Sequence, residues 1–376
     1  MTAICPTDAA EGSGMSRRSD LRELIGLARG RDGPQATRAA ARLMSLLADR
    51  PERLAELLSV AGDHAQPRLI LGLTGAPGCG KSSLTDQLTA EFRRRLPDSR
   101  LGVIAVDPSS PFTGGAVLGD RVRMMRHATD PKVFIRSLAT RGHLGGLALG
   151  FRGVLRVMGL IGCEVVLVET VGVGQSEVEI ASAADLTAVI LAPGQGDSVQ
   201  MLKAGLMEAG DLFIVNKADR EGSAQVYAQL LSMLMLMEST AAVSAAVDHD
   251  ASHRPLSLAG CVVQETDGHA HRPVFLTSAS EGRGIVELVD TLETIAAQQA
   301  GKWHAQRVEK DRRSAREAIL EQVRAELLEA YEAMADVDTR IRNLLGGRET
   351  VASIARSIIQ AAARRTLGTE PKPTAS

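Results

Sequence analysis

The sequence has few aromatic residues and no excess of charge of either sign. Phe, Trp and Tyr together make up 2% of the 376 residues, and the formal net charge is -2. Proteins that bind nucleic acid commonly combine a basic surface with aromatic side chains on which bases stack. The composition therefore argues against a nucleic-acid partner, and the lack of a basic field argues equally against attraction to an anionic membrane.

Cysteines and long apolar runs are also scarce. Four widely separated cysteines occur, with no C-x-x-C pair: Cys5, Cys79, Cys163 and Cys261. This predicts no disulfide framework and favours a reducing, cytoplasmic location. No apolar run reaches the ~18 residues of a membrane span. The N-terminus lacks an apolar signal core, its Asp8 and Glu11 are atypical of a mitochondrial transit peptide, and Met15 is an alternative start.

Short apolar runs rich in β-branched residues begin at residue 68 and alternate with helical segments. The runs are RLILGLTG, LGVIAVDP, KVFIRSL, CEVVLVETVG, LTAVILAPG, LFIVNKAD and PVFLTSA. Strands that are apolar throughout are typical of a parallel sheet covered on both faces. The alternation predicts an α/β fold with a mostly parallel, doubly wound sheet. Amphipathic helical segments precede and follow this region and predict helical N-terminal and C-terminal extensions. In the C-terminal extension, the amphipathic segment from residue 314 onwards predicts a helix that ends at the Gly-Gly stop of residues 346 and 347.

A phosphate-binding loop follows the first run. Residues 75–82, GAPGCGKS, match the P-loop pattern G-x-x-x-x-G-K-[ST] between a strand and a helix. The glycines let backbone N–H groups surround phosphate oxygens, and the helix N-terminus adds partial positive charge. Lys81 would reach the β- and γ-phosphates, and the Ser82 hydroxyl would ligate Mg²⁺. We expect the nucleotide to contact Gly75, Ala76, Pro77, Gly78, Cys79, Gly80, Lys81, Ser82 and Ser83.

A second motif predicts that the base is guanine. Asn216-Lys217-Ala218-Asp219 ends a strand and matches N-K-x-D. Asp219 would accept hydrogen bonds from guanine N1–H and the 2-amino group, which adenine lacks, and a site built on such bonds rejects an analogue by roughly 10⁴–10⁵. Asn216 would fix the loop, and the Lys217 stem would cover the ring. The segment TSASEG, with Ser278 and the backbone N–H of Ala279, would meet guanine O6. The predicted ligands are GTP and GDP.

Carboxylates at two strand ends are candidates for the metal site. Glu169 begins E-T-V-G, where a Ras-like GTPase carries D-x-x-G, and it could hold Mg²⁺ through water while the Gly172 N–H contacts the γ-phosphate. Asp107, in AVDPSS, is a second candidate. The predicted metal set is Ser82, Asp107 and Glu169. The alternative is that both carboxylates are turn or helix-capping residues.

Together these motifs resemble the MeaB/ArgK GTPases, the methylmalonyl-CoA mutase-associated group of P-loop G proteins. The resemblance runs from about residue 20 to about 290 and rests on GAPGCGKSSL, VDPSSPFTGGAVLGDRVRM, FIRSLATRGHLGG, VETVGVGQSE, PGQGDSVQMLKAG and NKAD. It implies a GTPase, slow when alone, that chaperones an adenosylcobalamin-dependent acyl-CoA mutase, gating cofactor loading and protecting the mutase. It also implies a homodimer joined through C-terminal helices and admits a cobalamin adenosyltransferase as a partner.

The resemblance assigns further roles within the chain. PSSPFTGGAVLGDR, GVGQSEVEIASAAD and PGQGDSVQMLKAG would be three switches, the third communicating with the mutase through Lys203. The implied catalytic set is Lys81, Asp107, Glu169, Gly172 and Lys203. No general base or arginine finger is evident, so a partner could complete the site. Arg121 and Arg141 lie in the switches and are expected to form salt bridges.

The implied organisation has five parts. We expect a disordered lead over 1–15, a helical extension over 16–66, the GTPase domain over 67–298, a dimerisation arm over 299–366 and a disordered tail over 367–376. The segment SLATRGHLGG departs from the pattern of many relatives, which leaves open which mutase is served.

Two other functions remain open. A metal-insertion GTPase would need clustered His or Cys ligands, and the segment 245–272 holds His249, His253, His269 and His271, which we expect to be solvent-exposed loop residues. A transport-associated ATPase or kinase is disfavoured by N-K-A-D. Cys79, at a variable P-loop position, is expected to be a small filler and not a redox switch.

Overall fold

The computed structural model describes residues 13–29, 33–50, 53–61, 66–108, 125–127, 129–140, 146–170, 183–194, 204–244, 272–334 and 336–366. The helices are α1 (Ser13–Arg29), α2 (Pro34–Asp49), α3 (Leu54–Ala61), α4 (Lys81–Arg95), α5 (Gly146–Leu160), α6 (Ala204–Ala209), α7 (Ser223–Ser244), α8 (Ile285–Glu332), α9 (Val337–Leu345) and α10 (Val351–Thr366). The strands are β1 (Leu69–Gly75), β2 (Arg100–Pro108), β3 (Val133–Thr140), β4 (Cys163–Thr170), β5 (Leu186–Leu191), β6 (Leu212–Val215) and β7 (Val274–Leu276).

The seven strands form one parallel sheet in the order β3-β2-β4-β1-β5-β6-β7. Each strand coincides with one of the seven apolar runs, so the predicted fold class is confirmed. Strand β1, which leads into the P-loop, lies at the centre of the sheet, between β4 and β5. Parallel strands direct all their carboxyl ends to one edge, and the P-loop and N-K-A-D motifs consequently lie on the same edge.

Helices cover both faces of the sheet. In β5, Ala188 and Ile190 pack into a core with α4 and the first part of α8, whereas Val189 and Leu191 pack against α7. This division follows from the period of two along a strand. Within the described ranges, no helix combines the length and the apolar character that crossing a bilayer requires.

The chain divides into two compact units, residues 1–310 and 311–376. The second unit contains the end of α8 together with α9 and α10. The sequence predicted one helix from residue 314 to the Gly-Gly stop, but α8 ends at Glu332 and α9 begins at Val337. Asp336 occupies the N-cap position of α9, where its side chain makes no cap hydrogen bond and pairs instead with Arg340 at 2.7 Å. The predicted stop is present, with Gly347 at φ +68°.

The N-terminal helices pack on α5 through two glycines. A Cβ atom built on Gly153 would lie 2.8 Å from Leu47 Cβ, and one on Gly150 would lie 3.2 Å from Ala48 Cα. The backbones of α2 and α5 are therefore too close for any side chain at residue 153. Leu43, Met44 and Leu47 of α2 are fully buried, so this contact is part of the core.

Gly153→Ala is expected to destabilise the protein by about 1–2 kcal/mol. Overpacking costs about 1–3 kcal/mol, and the gain in helix propensity of up to about 1 kcal/mol offsets only part of it. Gly301, in α8, has no atom within 4 Å of its built Cβ, so Gly301→Ala should stabilise by about 0.5–1 kcal/mol. Urea unfolding of both variants measures the difference, and equal effects at the two positions would contradict the close packing of α2 on α5.

Candidate functional site

The P-loop has a backbone that only glycine permits at two positions. Gly75 has φ +148°, and a Cβ atom there would lie 2.2 Å from Ile190 O. Gly80 has φ +95°, and its Cβ would lie 2.4 Å from Asn216 Nδ2. The loop is thus pressed against β5 on one side and against the N-K-A-D motif on the other. Pro77 and Gly78 are exposed at its tip, as is Ser83 in the first turn of α4.

Lys81 folds back over the loop that precedes it. Its Nζ donates to Gly75 O at 2.7 Å and to Ala76 O at 3.1 Å, and the residue is 6% exposed. The ammonium group therefore lies beside the space that the loop encloses. Exchanging these neutral carbonyl partners for phosphate oxygens would give charge-assisted hydrogen bonds, which are roughly twice as strong.

Two hydroxyl groups of α4 hold the carboxylate of Glu169. Ser82 Oγ donates to Glu169 Oε1 at 2.5 Å, and Thr85 Oγ1 lies 3.2 Å from Oε2. Glu169 is buried at the end of β4, and its register with Leu73 of β1 places it next to the start of the P-loop. Hydroxyl and carboxylate oxygens are the ligands that Mg²⁺ prefers, so the donor set fits a magnesium site.

Asn216 joins the base-side loops to the P-loop. Its Nδ2 donates to Cys79 O at 3.0 Å, while its Oδ1 accepts hydrogen bonds from Thr277 Oγ1 and from the Ala279 N–H, both at 3.2 Å. The Ala279 N–H, which is predicted to donate to guanine O6, thus donates to Asn216, the residue predicted to fix the loop. Because all these atoms belong to buried residues, three loops that are distant in sequence are held as one structure.

Lys217 adopts a strained backbone conformation. It has φ +59° and is the single non-glycine residue with positive φ among those the structure describes. A non-glycine residue in this region is uncommon and often marks a functional position. Its Nζ donates to Gly78 O at 2.6 Å, so the Lys217 stem extends from the base-side loop towards the P-loop, as covering a base would require.

Asp219 is exposed and oriented by a neighbour. Ser278 Oγ donates to Asp219 Oδ1 at 2.6 Å and lies 3.0 Å from Ser280 Oγ. The Ser278 hydroxyl is the main reason why the pKa of Asp219 is lowered. The carboxylate is therefore ionised near neutral pH and acts as an acceptor.

The thiol of Cys79 points into the core, away from the loop's open side. It is 0% exposed and packs within the apolar cluster that contains Leu84 and Leu88. Burial is the main cause of a raised thiol pKa, which disfavours the thiolate that oxidation requires. Any nucleotide contact of Cys79 would be through its backbone.

Several predicted residues lie outside the described part of the chain. They are Gly172, Lys203, Arg121, Arg141 and the four histidines of the segment 245–272. Asp107 lies in β2, paired in register with Ala139, and its side chain is outside the described set. In the described ranges, no three His, Cys, Asp or Glu residues are grouped as a metal site would need.

Sequence reasoning missed Thr85, Thr277 and Ser280. Thr85 follows Ser82 by three residues on a helix, so its hydroxyl lies on the same face, and this spacing could have identified it. Thr277 carries no comparable signal, because its bond to Asn216 depends on the approach of β6 to β7. Ser280 contacts Ser278, two residues away in the predicted TSASEG segment, and could have been singled out there.

Comparison with known proteins agrees with this geometry. Residues 38–334 match the family model described as "Methylmalonyl Co-A mutase-associated GTPase MeaB". A protein of Pyrococcus abyssi that carries GTPase in its name is 51% identical over 193 residues, which are 51% of this chain and 59% of that protein. The chain thus spans about three fifths of the length of that relative.

Another relative and a solved structure extend the comparison. The fused isobutyryl-CoA mutase of Geobacillus kaustophilus is 35% identical over 193 residues, 49% of this chain and 18% of that protein. A crystal structure titled as a LAO/AO transport system kinase superposes with a TM-score of 0.53 at 23% identity, covering 93% of this chain and 99% of its own; at that identity it shows the fold alone. The family match covers most of the chain and includes both nucleotide motifs, and the chain belongs to the methylmalonyl-CoA mutase-associated GTPases.

Proposed function

We propose that this protein is a GTP-hydrolysing chaperone of an adenosylcobalamin-dependent acyl-CoA mutase, which gates cofactor loading and protects the mutase from inactivation. The observation that carries the proposal is the relative from Geobacillus kaustophilus. That protein is named a fused isobutyryl-CoA mutase, and one segment of it resembles this chain. The family description names a second mutase, for methylmalonyl-CoA. The two names support a partner class and leave the acyl group open.

Guanine nucleotides bind, in this proposal, across the edge formed by the P-loop and the N-K-A-D loop. Lys81 leaves the carbonyl oxygens of Gly75 and Ala76 to meet the β- and γ-phosphates. Asp219 accepts the hydrogen bonds of the guanine edge, and Lys217 covers the ring. The hydrogen bonds of Asn216 to both loops support this arrangement, because they fix the distance between phosphate and base sites.

We propose Ser82, Glu169 and Asp107 as the residues that hold Mg²⁺ with the nucleotide. A bound Mg²⁺ would neutralise charge on the phosphates. Phosphoryl transfer depends mainly on positioning and on stabilising developing charge. Gly172 and Lys203 are assigned contacts with the γ-phosphate region, and Lys203 is brought there by the mutase. Turnover is therefore slow until the partner binds.

A homodimer is proposed through the second compact unit. On the outside of α8, Ile319, Leu320 and Val323 are 64%, 59% and 48% exposed, and Leu345 at the end of α9 is 82% exposed. Clusters of exposed apolar side chains mark interaction sites. The proposed dimerisation arm comprises residues 299–366 and follows the GTPase domain of residues 67–298. We also propose a cytoplasmic location and a cobalamin adenosyltransferase as a further partner.

The test is GTP turnover by the purified protein, alone and with candidate cobalamin-dependent acyl-CoA mutases, with ATP as the control nucleotide. We expect slow hydrolysis of GTP that one mutase stimulates, and no hydrolysis of ATP. Lys81→Ala should abolish basal and stimulated turnover, because Lys81 is the residue proposed to meet the β- and γ-phosphates and the Lys217 ammonium lies on Gly78 O at the tip of the loop instead. Lys302→Ala, at an exposed position of α8, is the matched control and should leave turnover unchanged.

GTP hydrolysis that no mutase affects would overturn the chaperone assignment. Metal delivery to another enzyme would then become the leading hypothesis. Hydrolysis of ATP in place of GTP would instead favour the transport-associated class.

A further inference from the structure

The Glu169 carboxylate is held at both of its oxygen atoms by one face of α4. Ser82 Oγ contacts Oε1 at 2.5 Å and Thr85 Oγ1 contacts Oε2 at 3.2 Å. All three residues are buried, with Thr85 at 0% and Glu169 at 1% exposure. Ser82 and Thr85 are three residues apart, so their side chains project from the same face of the helix.

The length of the acidic side chain explains why a second hydroxyl is present. A Ras-like site carries aspartate at this position of the motif, whereas this chain carries Glu169. One more methylene adds a rotatable bond, and the longer side chain brings its two oxygens within reach of both Ser82 and Thr85. A longer side chain loses more conformational freedom when it is fixed, so a second contact is needed to hold it in one orientation.

The Thr85 hydroxyl has one proton and two acceptors within reach. It lies 2.9 Å from Lys81 O and 3.2 Å from Glu169 Oε2. The bond to Lys81 O is the local bond that a threonine often makes inside a helix. A carboxylate is the stronger acceptor, because charge-assisted hydrogen bonds are roughly twice as strong as neutral ones.

Thr89 provides an internal comparison. It lies one turn further along α4, is 1% exposed, and its hydroxyl donates to Thr85 O at 2.7 Å. Thr89 therefore makes the same local helix hydrogen bond as Thr85 at a similar burial, with its hydroxyl directed to the carbonyl of Thr85. The contact with Glu169 is what distinguishes Thr85.

We propose that Thr85 is a positioning residue for the magnesium site. By holding Oε2, it keeps Oε1 directed to Ser82 and to the metal. This inference rests on the proposed Mg²⁺–nucleotide function of the same site and adds to it Thr85, which lies outside the motifs that carry the resemblance. Residues that orient a metal ligand typically matter 10–100-fold for metal affinity.

The test measures how Mg²⁺ slows the release of mant-GDP, a fluorescent GDP analogue, over a series of Mg²⁺ concentrations. For Thr85→Val we expect the concentration that gives half of the effect to rise at least about tenfold, while GDP release in EDTA stays as in the wild type. Thr85→Ser, which keeps the hydroxyl, should restore the wild-type response. Thr89→Val should not change it.

A double-mutant cycle separates positioning from general disturbance of α4. The Glu169→Asp side chain is one methylene shorter, which we expect to withdraw the carboxylate from Thr85 (3.2 Å away in the wild type), so adding Thr85→Val to it should have no further effect. Equal Mg²⁺ responses of Thr85→Val and wild type would overturn the inference and leave the magnesium site standing. A wild type whose GDP release does not respond to Mg²⁺ would overturn both the site and the inference.

Discussion

Asp219→Asn is expected to change the preferred nucleotide from GTP to XTP. An amide in place of the carboxylate presents NH₂ donors to the guanine 2-amino group, which is itself a donor, so that a hydrogen bond is lost and two donors face each other. Xanthine has an oxygen at this position and accepts from the amide. A change in the GTP/XTP affinity ratio on the order of 10⁴ is expected for a site of this kind. Competition of the two nucleotides for bound mant-GDP measures this ratio.

The matched control is Asp211→Asn at the opposite edge of the sheet. Asp211 is 8% exposed, and its carboxylate accepts from the Thr187 N–H at 2.8 Å, a bond that an amide oxygen also makes. Because burial raises the pKa of Asp211 to about 6, a neutral side chain should be tolerated there. This variant should keep the GTP preference. If Asp219→Asn also kept it, Asp219 would not be the residue that reads the base.

Arg307→Ala is expected to destabilise the first compact unit by about 3–5 kcal/mol, the cost of leaving a buried charge without its partner. Arg307 of α8 binds Asp185, which precedes β5 and is 3% exposed. Its Nε lies 2.7 Å from Asp185 Oδ1, its Nη2 contacts Oδ2, and its Nη1 donates to Pro67 O at 2.6 Å. Asp185 Oδ2 also accepts from the Ile70 N–H at 2.7 Å. Removing the guanidinium leaves this carboxylate with the Ile70 N–H as its remaining described hydrogen-bond donor, and the partly buried Lys310 ammonium, held on Ala184 O at 2.8 Å, then supplies only a nearby charge.

Chemical denaturation followed by tryptophan fluorescence measures the loss. The chain has one tryptophan, Trp303, which is 1% exposed and lies one helical turn before Arg307. The double variant Asp185→Asn/Arg307→Met is the control, because it removes both charges and keeps an acceptor for the Ile70 N–H. It should recover most of the stability. A double variant as unstable as Arg307→Ala would show that lost packing, and not the unpaired charge, causes the effect.

The sequence predicted the sheet and both nucleotide motifs because their signals are local. The strands are runs of three to nine residues, and burial on both faces produces an apolar run in strands such as β1, β5 and β6. The P-loop and N-K-A-D residues are contiguous, so their chemistry is readable before the fold is known. The break between α8 and α9 was missed, since the apolar periodicity continues across Asp336.

The contacts between motifs were not predictable in the same way. Ser82 and Glu169 are separated by 87 residues, and Asn216 and Cys79 by 137. Nothing in either stretch specifies a 2.5 Å contact or the direction of a hydrogen bond. These contacts arise because β4 lies next to β1 on one side, while β6 lies beyond β5 on the other, which brings the ends of β1, β4 and β6 to the same edge of the sheet.

The sequence by itself determined the family, the parallel α/β sheet and the residue types for phosphate, guanine and metal, because each is written in a short segment with its own chemistry. The tertiary structure decided which groups meet: Thr85 with Glu169, Asn216 with the P-loop, and Arg307 with Asp185. Such pairs depend on strand order and helix packing, which sum many weak contacts along the whole chain. No single segment therefore carries the information that fixes them.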